Sequence, residues 1–77
     1  GHREATGGAW EALFLQRTAD GLWEMMAKTR GHPTNGDVFV AEPGGFKLIL
    51  RGRTADRHWL MEPTMAGEPE ELLARFG

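Results

Sequence analysis

The stretch Arg17–Met25 reads Arg-Thr-Ala-Asp-Gly-Leu-Trp-Glu-Met, and Arg53–Met61 repeats it as Arg-Thr-Ala-Asp-Arg-His-Trp-Leu-Met. Aligning the chain with itself at an offset of 36 residues gives ten identities in 41 compared positions. Ordinary composition gives about three such identities by chance. The pattern therefore predicts a duplication, with one unit at residues 5–40 and a second at residues 41–76.

The second unit indicates which structure the repeat adopts. The first unit alone fits either a helical hairpin or two strands, because its apolar residues satisfy both spacings. Phe46–Arg53 is short, apolar and bounded by glycine, with Phe46, Leu48 and Leu50 alternating on one face. The basic residues Lys47, Arg51 and Arg53 are expected on the other face, and Ile49 is the one misfit. If the units are homologous, both are strand, turn, strand.

The loop of each predicted hairpin lies in the repeated Thr-Ala-Asp segment. Thr18–Gly21 fits a type I turn with Gly21 at the position that requires positive φ. The counterpart of Gly21 is Arg57. A non-glycine residue in that conformation costs about 1 kcal/mol, so Arg57→Gly is expected to leave the stability unchanged or to raise it.

The repeated Trp-x-Met supplies the predicted core anchors. Residues two apart in a strand share one face, so Trp23 lies beside Met25 and Trp59 lies beside Met61. Large apolar side chains on a common face favour core packing over a ligand-facing aromatic pair. These four residues are therefore expected to point inward.

A bridging strand and a C-terminal helix complete the predicted fold. Thr34-Asn35-Gly36-Asp37 is a strong turn signal ahead of the β-branched and aromatic Val38–Val40. Glu68–Glu71 contains a proline and three acids, typical of a first helical turn, ahead of an apolar face at Leu72, Leu73 and Phe76. The fold class is β-rich α+β: an antiparallel meander of about five strands from two duplicated β-hairpins, closed by a short C-terminal helix.

The length of 77 residues allows one small domain, at residues 5–77, with residues 1–4 expected to be a tag remnant or disordered. A chain this short buries only roughly 60% of its unfolded surface, so its core is marginal. No cysteine is present to reinforce it with disulfides. Oligomerisation or docking on a protein partner is the expected supplement.

Catalytic and metal chemistry have little support in the residue types. The chain has no cysteine and no serine, and His2, His32 and His58 have no metal-ligand spacing. Asp20 and Asp56 sit in turn loops, where aspartate is favoured for its local hydrogen bonds. We expect no metal, no cofactor and no enzymatic activity.

An interaction surface is predicted on the first hairpin. Its first strand places Trp10, Ala12 and Phe14 on one face and Leu13 and Leu15 on the other, so it is apolar on both sides. Such a strand is central in its sheet, covered by the C-terminal helix, or part of an interface. The working hypothesis is a non-catalytic module that forms a homo-oligomer or docks on a protein partner through Leu13 and Leu15.

The alternative is a nucleic-acid-binding module on the second hairpin. Basic residues there are interleaved with aromatics, as in single-strand platforms; they are Lys47, Arg51, Arg53, Arg57 and His58. Acids that follow, beginning at Glu62, are expected to neutralise part of this patch. The net charge of −2 argues against bulk attraction to nucleic acid or to a membrane. No apolar run approaches the length of a bilayer span, and a cytoplasmic setting is the default expectation.

Overall fold

The computed structural model describes residues 1–41 and 46–64 and places them in one antiparallel sheet. The strands are β1 (His2–Arg3), β2 (Trp10–Arg17), β3 (Trp23–Thr29), β4 (Val38–Ala41), β5 (Phe46–Arg53) and β6 (Trp59–Pro63). Their order is β1-β4-β5-β6-β3-β2, and a bridge from His2 to Ala9 draws the two ends together, so the sheet curls into a half-barrel. The β-rich prediction is confirmed. The predicted helix falls at residues 68–76, outside the described residues.

Each hairpin is closed by the same set of loop hydrogen bonds. The N–H of Gly21 donates to the carbonyl of Thr18 at 3.0 Å, and the N–H of Arg57 donates to that of Thr54 at 2.9 Å. Both threonine hydroxyls also accept a backbone N–H at 3.1 Å. Gly21 has φ 83° and Arg57 has φ 65°. The prediction of positive φ at these two positions is confirmed.

A β-bulge interrupts both hairpins at the same place. The extra residue is Leu15 in β2 and Arg51 in β5, which are counterparts at the offset of 36. A bulge adds one residue to one strand and so shifts the alternation of side chains beyond it. Arg53 therefore comes opposite Trp59, with its guanidinium 5.3 Å from the centre of the ring. The expectation that Arg53 shares a face with Lys47 was wrong for this reason.

The strand order differs from the predicted meander. In a meander β4 would lie beside β3, but β3 pairs instead with β6, with Trp23 opposite Met61 and Met25 opposite Trp59. Residues 30–37 separate β3 from β4, which is too long for a tight hairpin. This connection lets β4 pair with the far side of β5. The pairing also sets the two Trp-x-Met strands edge to edge in the centre of the sheet.

The core lies on the concave face of the curled sheet. Trp23, Met25, Trp59 and Met61 are at most 3% exposed, so the repeated Trp-x-Met side chains point inward. The rest of the core cluster consists of Trp10, Phe39, Ala41, Phe46, Leu48 and Leu50. Trp23 contacts Phe46 with ring centroids 5.4 Å apart, which joins the two hairpins. No buried side-chain nitrogen or oxygen among the described residues lacks a hydrogen-bond partner.

The N-terminal residues belong to the sheet. β1 pairs with β4, and the Arg3 guanidinium donates to Asp37 Oδ2 at 2.8 Å. The backbone carbonyl of Gly1 accepts the N–H of Trp10, whose indole Nε1 donates to the carbonyl of Val40. Backbone pairing and this charged contact place the segment between β4 and the start of β2.

Candidate interaction surface

Among the residues that the structure describes, strand β2 is the last strand of the sheet, and most of its outer edge has no neighbouring strand. β3 pairs with one side of β2 along its length. On the other side, Gly1 and His2 reach only Ala9 and Trp10. Within residues 1–41 and 46–64 no strand pairs with this side of β2 beyond Trp10. An open edge presents unpaired backbone donors and acceptors to any strand that can approach.

The convex face of the same hairpin carries three exposed large apolar side chains. Leu13 and Met26 lie directly opposite each other on β2 and β3 and are 62% and 51% exposed. The bulge residue Leu15 is 38% exposed. We call Leu13, Leu15 and Met26 the apolar hairpin surface. They are the exposed large hydrophobics of the described chain, and they occur together on one hairpin.

The second hairpin shows how a neighbouring strand lowers the exposure of the residue equivalent to Leu13. Ile49, the counterpart of Leu13, is half-buried and lies opposite Val38 of β4. Strand β4 covers the edge of β5, whereas β2 has no such neighbour beyond Trp10 among the residues described. The greater exposure of Leu13 follows from this difference in strand pairing.

A shallow groove of about 310 Å³ runs across the apolar hairpin surface. Its lining is Glu11, Ala12, Leu13, Met26, Ala27 and Lys28. Lys28 Nζ lies 3.3 Å from Glu11 Oε2, and both side chains are more than 70% exposed. An ion pair this exposed contributes about 0–1 kcal/mol, so it borders the groove without rigidly closing it.

Carboxylates already engage most of the predicted basic patch. Lys47 pairs with Glu4, and Arg51 Nε donates to Glu62 Oε1 at 2.6 Å. His58 Nδ1 lies 2.7 Å from Glu24 Oε2. Arg53 stacks on Trp59, and Arg57 is exposed in its loop. The structure thus distributes these five residues over several separate contacts and does not gather them on one free surface.

A polar network links the two hairpins on the convex face. Gln16 donates to one carboxylate oxygen of Glu24 at 2.9 Å, and His58 contacts the other. The hydrogen bond from Gln16 and, to a smaller extent, the one from His58 hold the pKa of Glu24 below its ordinary value, because both stabilise the charged form. A backbone N–H from Thr34 and the Arg3 guanidinium lower the pKa of Asp37 in the same way. Both carboxylates therefore fix contacts between distant segments.

A larger cleft of about 830 Å³ lies between the N-terminal segment and the open end of the β2–β3 hairpin. Its cations are Arg3, Lys28 and Arg30. Arg3 contacts Asp37 and the carbonyl of Arg30, while Lys28 contacts Glu11. Two of the three cations of this cleft are therefore already engaged by carboxylates.

The described part of the chain holds no group of three or more histidine, cysteine, aspartate or glutamate side chains that could bind a metal ion. It also holds no helix of the length and apolar character needed to cross a membrane.

Leu13 and Leu15 of the apolar hairpin surface were predicted from the sequence, and Met26 was not. The signal was present, since Trp23 and Met25 pointing inward requires Met26 to point outward. Strand β1 had no comparable signal, because two residues are too few to show a period.

No protein-family model matches the chain, and no curated protein or solved structure is significantly similar to it.

Proposed function

We propose that this protein is a non-catalytic interaction module that binds another protein chain through the apolar hairpin surface and the open edge of β2. The observation that carries the proposal is the position of Leu13 and Met26. They are the two most exposed large hydrophobics of the described chain and form one cross-strand pair on an edge hairpin. An apolar cluster beside an open strand edge suits a protein partner, which supplies both apolar contact and backbone hydrogen bonds.

Burial of this surface can supply a useful binding free energy. Fully burying one leucine or methionine side chain contributes roughly 1.5–3 kcal/mol. Leu13 and Met26 each retain about half or more of their exposure in the single chain. Together with main-chain pairing at the edge, this supports a modest protein contact in which a few central residues dominate.

Nucleic-acid binding has weaker support. Single-strand platforms need cations available to phosphates next to open aromatic faces. Lys47 and Arg51 contact glutamates, and Trp59 is 3% exposed. An affinity for single-stranded DNA or RNA that falls steeply with added salt would favour this alternative over apolar docking.

The proposal is tested by site-specific photo-cross-linking in cells that express the full chain. A photoreactive amino acid replaces Leu13 in one variant and Asn35 in a matched control, because Asn35 is also exposed but lies in a loop away from the apolar hairpin surface. We expect protein adducts at position 13 well above those at position 35. Equal yields at the two positions would refute the proposed surface.

We propose further that the two hairpins are copies of one duplicated unit. The shared bulge position, the shared loop hydrogen bonds and the antiparallel pairing of β3 with β6 all support it. On this view the first strands diverged: in the first hairpin Leu13 and Leu15 stand where Ile49 and Arg51 stand in the second. The apolar hairpin surface is then the specialised copy of a common scaffold.

A further inference from the structure

The open edge of β2 fits a second copy of this chain in one particular register. The N–H of Trp10 points away from β3, because it donates to the carbonyl of Gly1 at 3.3 Å. In an antiparallel strand the N–H and C=O of one residue point to the same side, and the side alternates along the chain. Ala12 and Phe14 therefore direct their N–H and C=O groups to the open edge.

Two features limit the stretch that can pair. Gly1 occupies the edge at Trp10, and the bulge at Leu15 disturbs the alternation on the other end. The regular open segment between them is Glu11–Phe14. A partner strand must therefore satisfy the backbone groups of Ala12 and Phe14 and no others.

We propose that two copies of this chain associate by antiparallel pairing of β2 with β2, with Leu13 on the twofold axis. In this register Ala12 of one copy faces Phe14 of its partner, and the pair occurs twice by symmetry. The outward N–H and C=O groups of Ala12 and Phe14 in both copies are then all hydrogen-bonded. If the twofold axis moved by one residue to Phe14, Ala12 would face Gln16, which lies beyond the bulge. If the axis moved to Ala12, Phe14 would face Trp10, whose N–H already donates to the carbonyl of Gly1.

The side chains and charges suit the same register. The two Leu13 side chains meet at the axis with Met26 behind each, so the apolar hairpin surface continues across four strands. Glu11 is the only charged residue of the open segment. Each copy of Glu11 falls at an opposite end of the seam, already paired with its own Lys28, so no like charges meet.

The pairing extends a pattern that already exists inside the chain. β3 and β6, the equivalent strands of the two hairpins, pair antiparallel about the Glu24–Leu60 pair. β4 covers the edge of β5, whereas no strand of the described residues covers the corresponding edge of β2 beyond Trp10. A second copy on β2 continues the sheet. The seam is short, at the low end of specific interfaces (below about 1,200 Å² in total), so we expect a weak dimer rather than an obligate one.

Cysteine cross-linking tests the register directly, because the wild-type chain has no cysteine. In the proposed dimer the Leu13 positions form a pair without hydrogen bonds, with Cα atoms about 4.5 Å apart, within the range that a disulfide spans. Leu13→Cys is compared with Leu15→Cys, whose two copies lie four residues out of register. We expect Leu13→Cys to oxidise to a covalent dimer at least about tenfold faster than Leu15→Cys at equal concentration.

Sedimentation of the wild-type full chain provides the second measurement. We expect reversible self-association that Leu13→Glu weakens by at least about tenfold, since the two carboxylates would meet at the axis, while Asn35→Glu leaves it unchanged. Equal oxidation rates for the two cysteine variants, or a wild-type chain that stays monomeric at millimolar concentration, would overturn the proposal. So would an intrachain disulfide in monomeric Leu13→Cys/Leu73→Cys, which would assign the edge to the chain's own C-terminal segment.

The inference rests on the proposed function, and the two can fail separately. Photo-cross-linking at position 13 that captures only a different protein, with no preferential oxidation of Leu13→Cys, would keep the interaction surface and refute self-pairing. Absence of both signals would refute both.

Discussion

Replacing Arg57 by glycine should stabilise the protein or leave its stability unchanged, although it removes a large side chain. Arg57 has φ 65°, in the left-handed region, where a side chain costs about 1–2 kcal/mol. Glycine removes that cost, but it also increases the conformational entropy of the unfolded chain. The increase offsets about 0.4–1 kcal/mol of the gain in stability. Arg57 is exposed and makes no described side-chain contact that the substitution would remove. The net expectation is a gain of roughly 0–1.5 kcal/mol.

The equivalent loop of the first hairpin provides a matched control with the opposite sign. Gly21 has φ 83°, and a Cβ built there meets no atom within 4 Å. The cost of Gly21→Ala is therefore a backbone cost alone, with no steric clash. The same two terms with opposite sign give an expected loss of roughly 0–1.5 kcal/mol in the free energy of unfolding.

Thermal unfolding followed by circular dichroism measures both variants. In a domain of this size a change of 1 kcal/mol moves Tm by about 4–8 °C. Arg57→Gly should therefore leave Tm unchanged or raise it by several degrees, and Gly21→Ala should lower it. A clear fall in Tm for Arg57→Gly would refute the reasoning, because it would mean that Arg57 makes a stabilising contact larger than its backbone strain.

Three further expectations concern the network, the loops and the two faces of the sheet. Because the pKa of Glu24 is lowered in the folded state, its contribution to stability is present above the ordinary value of 4.5 and is lost as the pH falls through the folded value. Glu24→Gln should thus destabilise the protein at neutral pH, and urea titrations across pH should show the difference from wild type shrinking in acid; a constant difference would contradict the network. Thr18→Ala and Thr54→Ala should each lower the free energy of unfolding in urea by about 0.5–1.5 kcal/mol, since each removes the hydroxyl that accepts a loop N–H. A large difference between the two values would show that the loops are not equivalent. Trp23→Ala should lower the free energy of unfolding by roughly 3–5 kcal/mol, enough to unfold much of the protein. Leu13→Ala should change it by less than about 0.5 kcal/mol, because Leu13 is exposed. A comparable loss in both variants would show that Leu13 is buried.

The amino-acid sequence by itself determined the local features of this protein. Turn chemistry at Thr18–Gly21 and its repeat specified where each hairpin reverses, because φ preferences act within a few residues. The two-residue period then assigned Trp23, Met25, Trp59 and Met61 to one face, since alternation is a property of each strand alone. The same period placed Leu13 and Leu15 on the outer face of β2.

Only the tertiary structure decided which strands became neighbours. Pairing β3 with β6 instead of β4 depends on collapse of both Trp-x-Met strands into one core. The paired residues are 34 to 38 positions apart in the chain, a distance that no local period encodes. The bulges at Leu15 and Arg51 were equally invisible to strict alternation, although Gly52 within a strand is a common sign of one. The openness of the β2 edge followed from this strand order. The sequence thus placed Leu13 on an apolar outer face, and long-range pairing left that face beside an edge that no described strand covers.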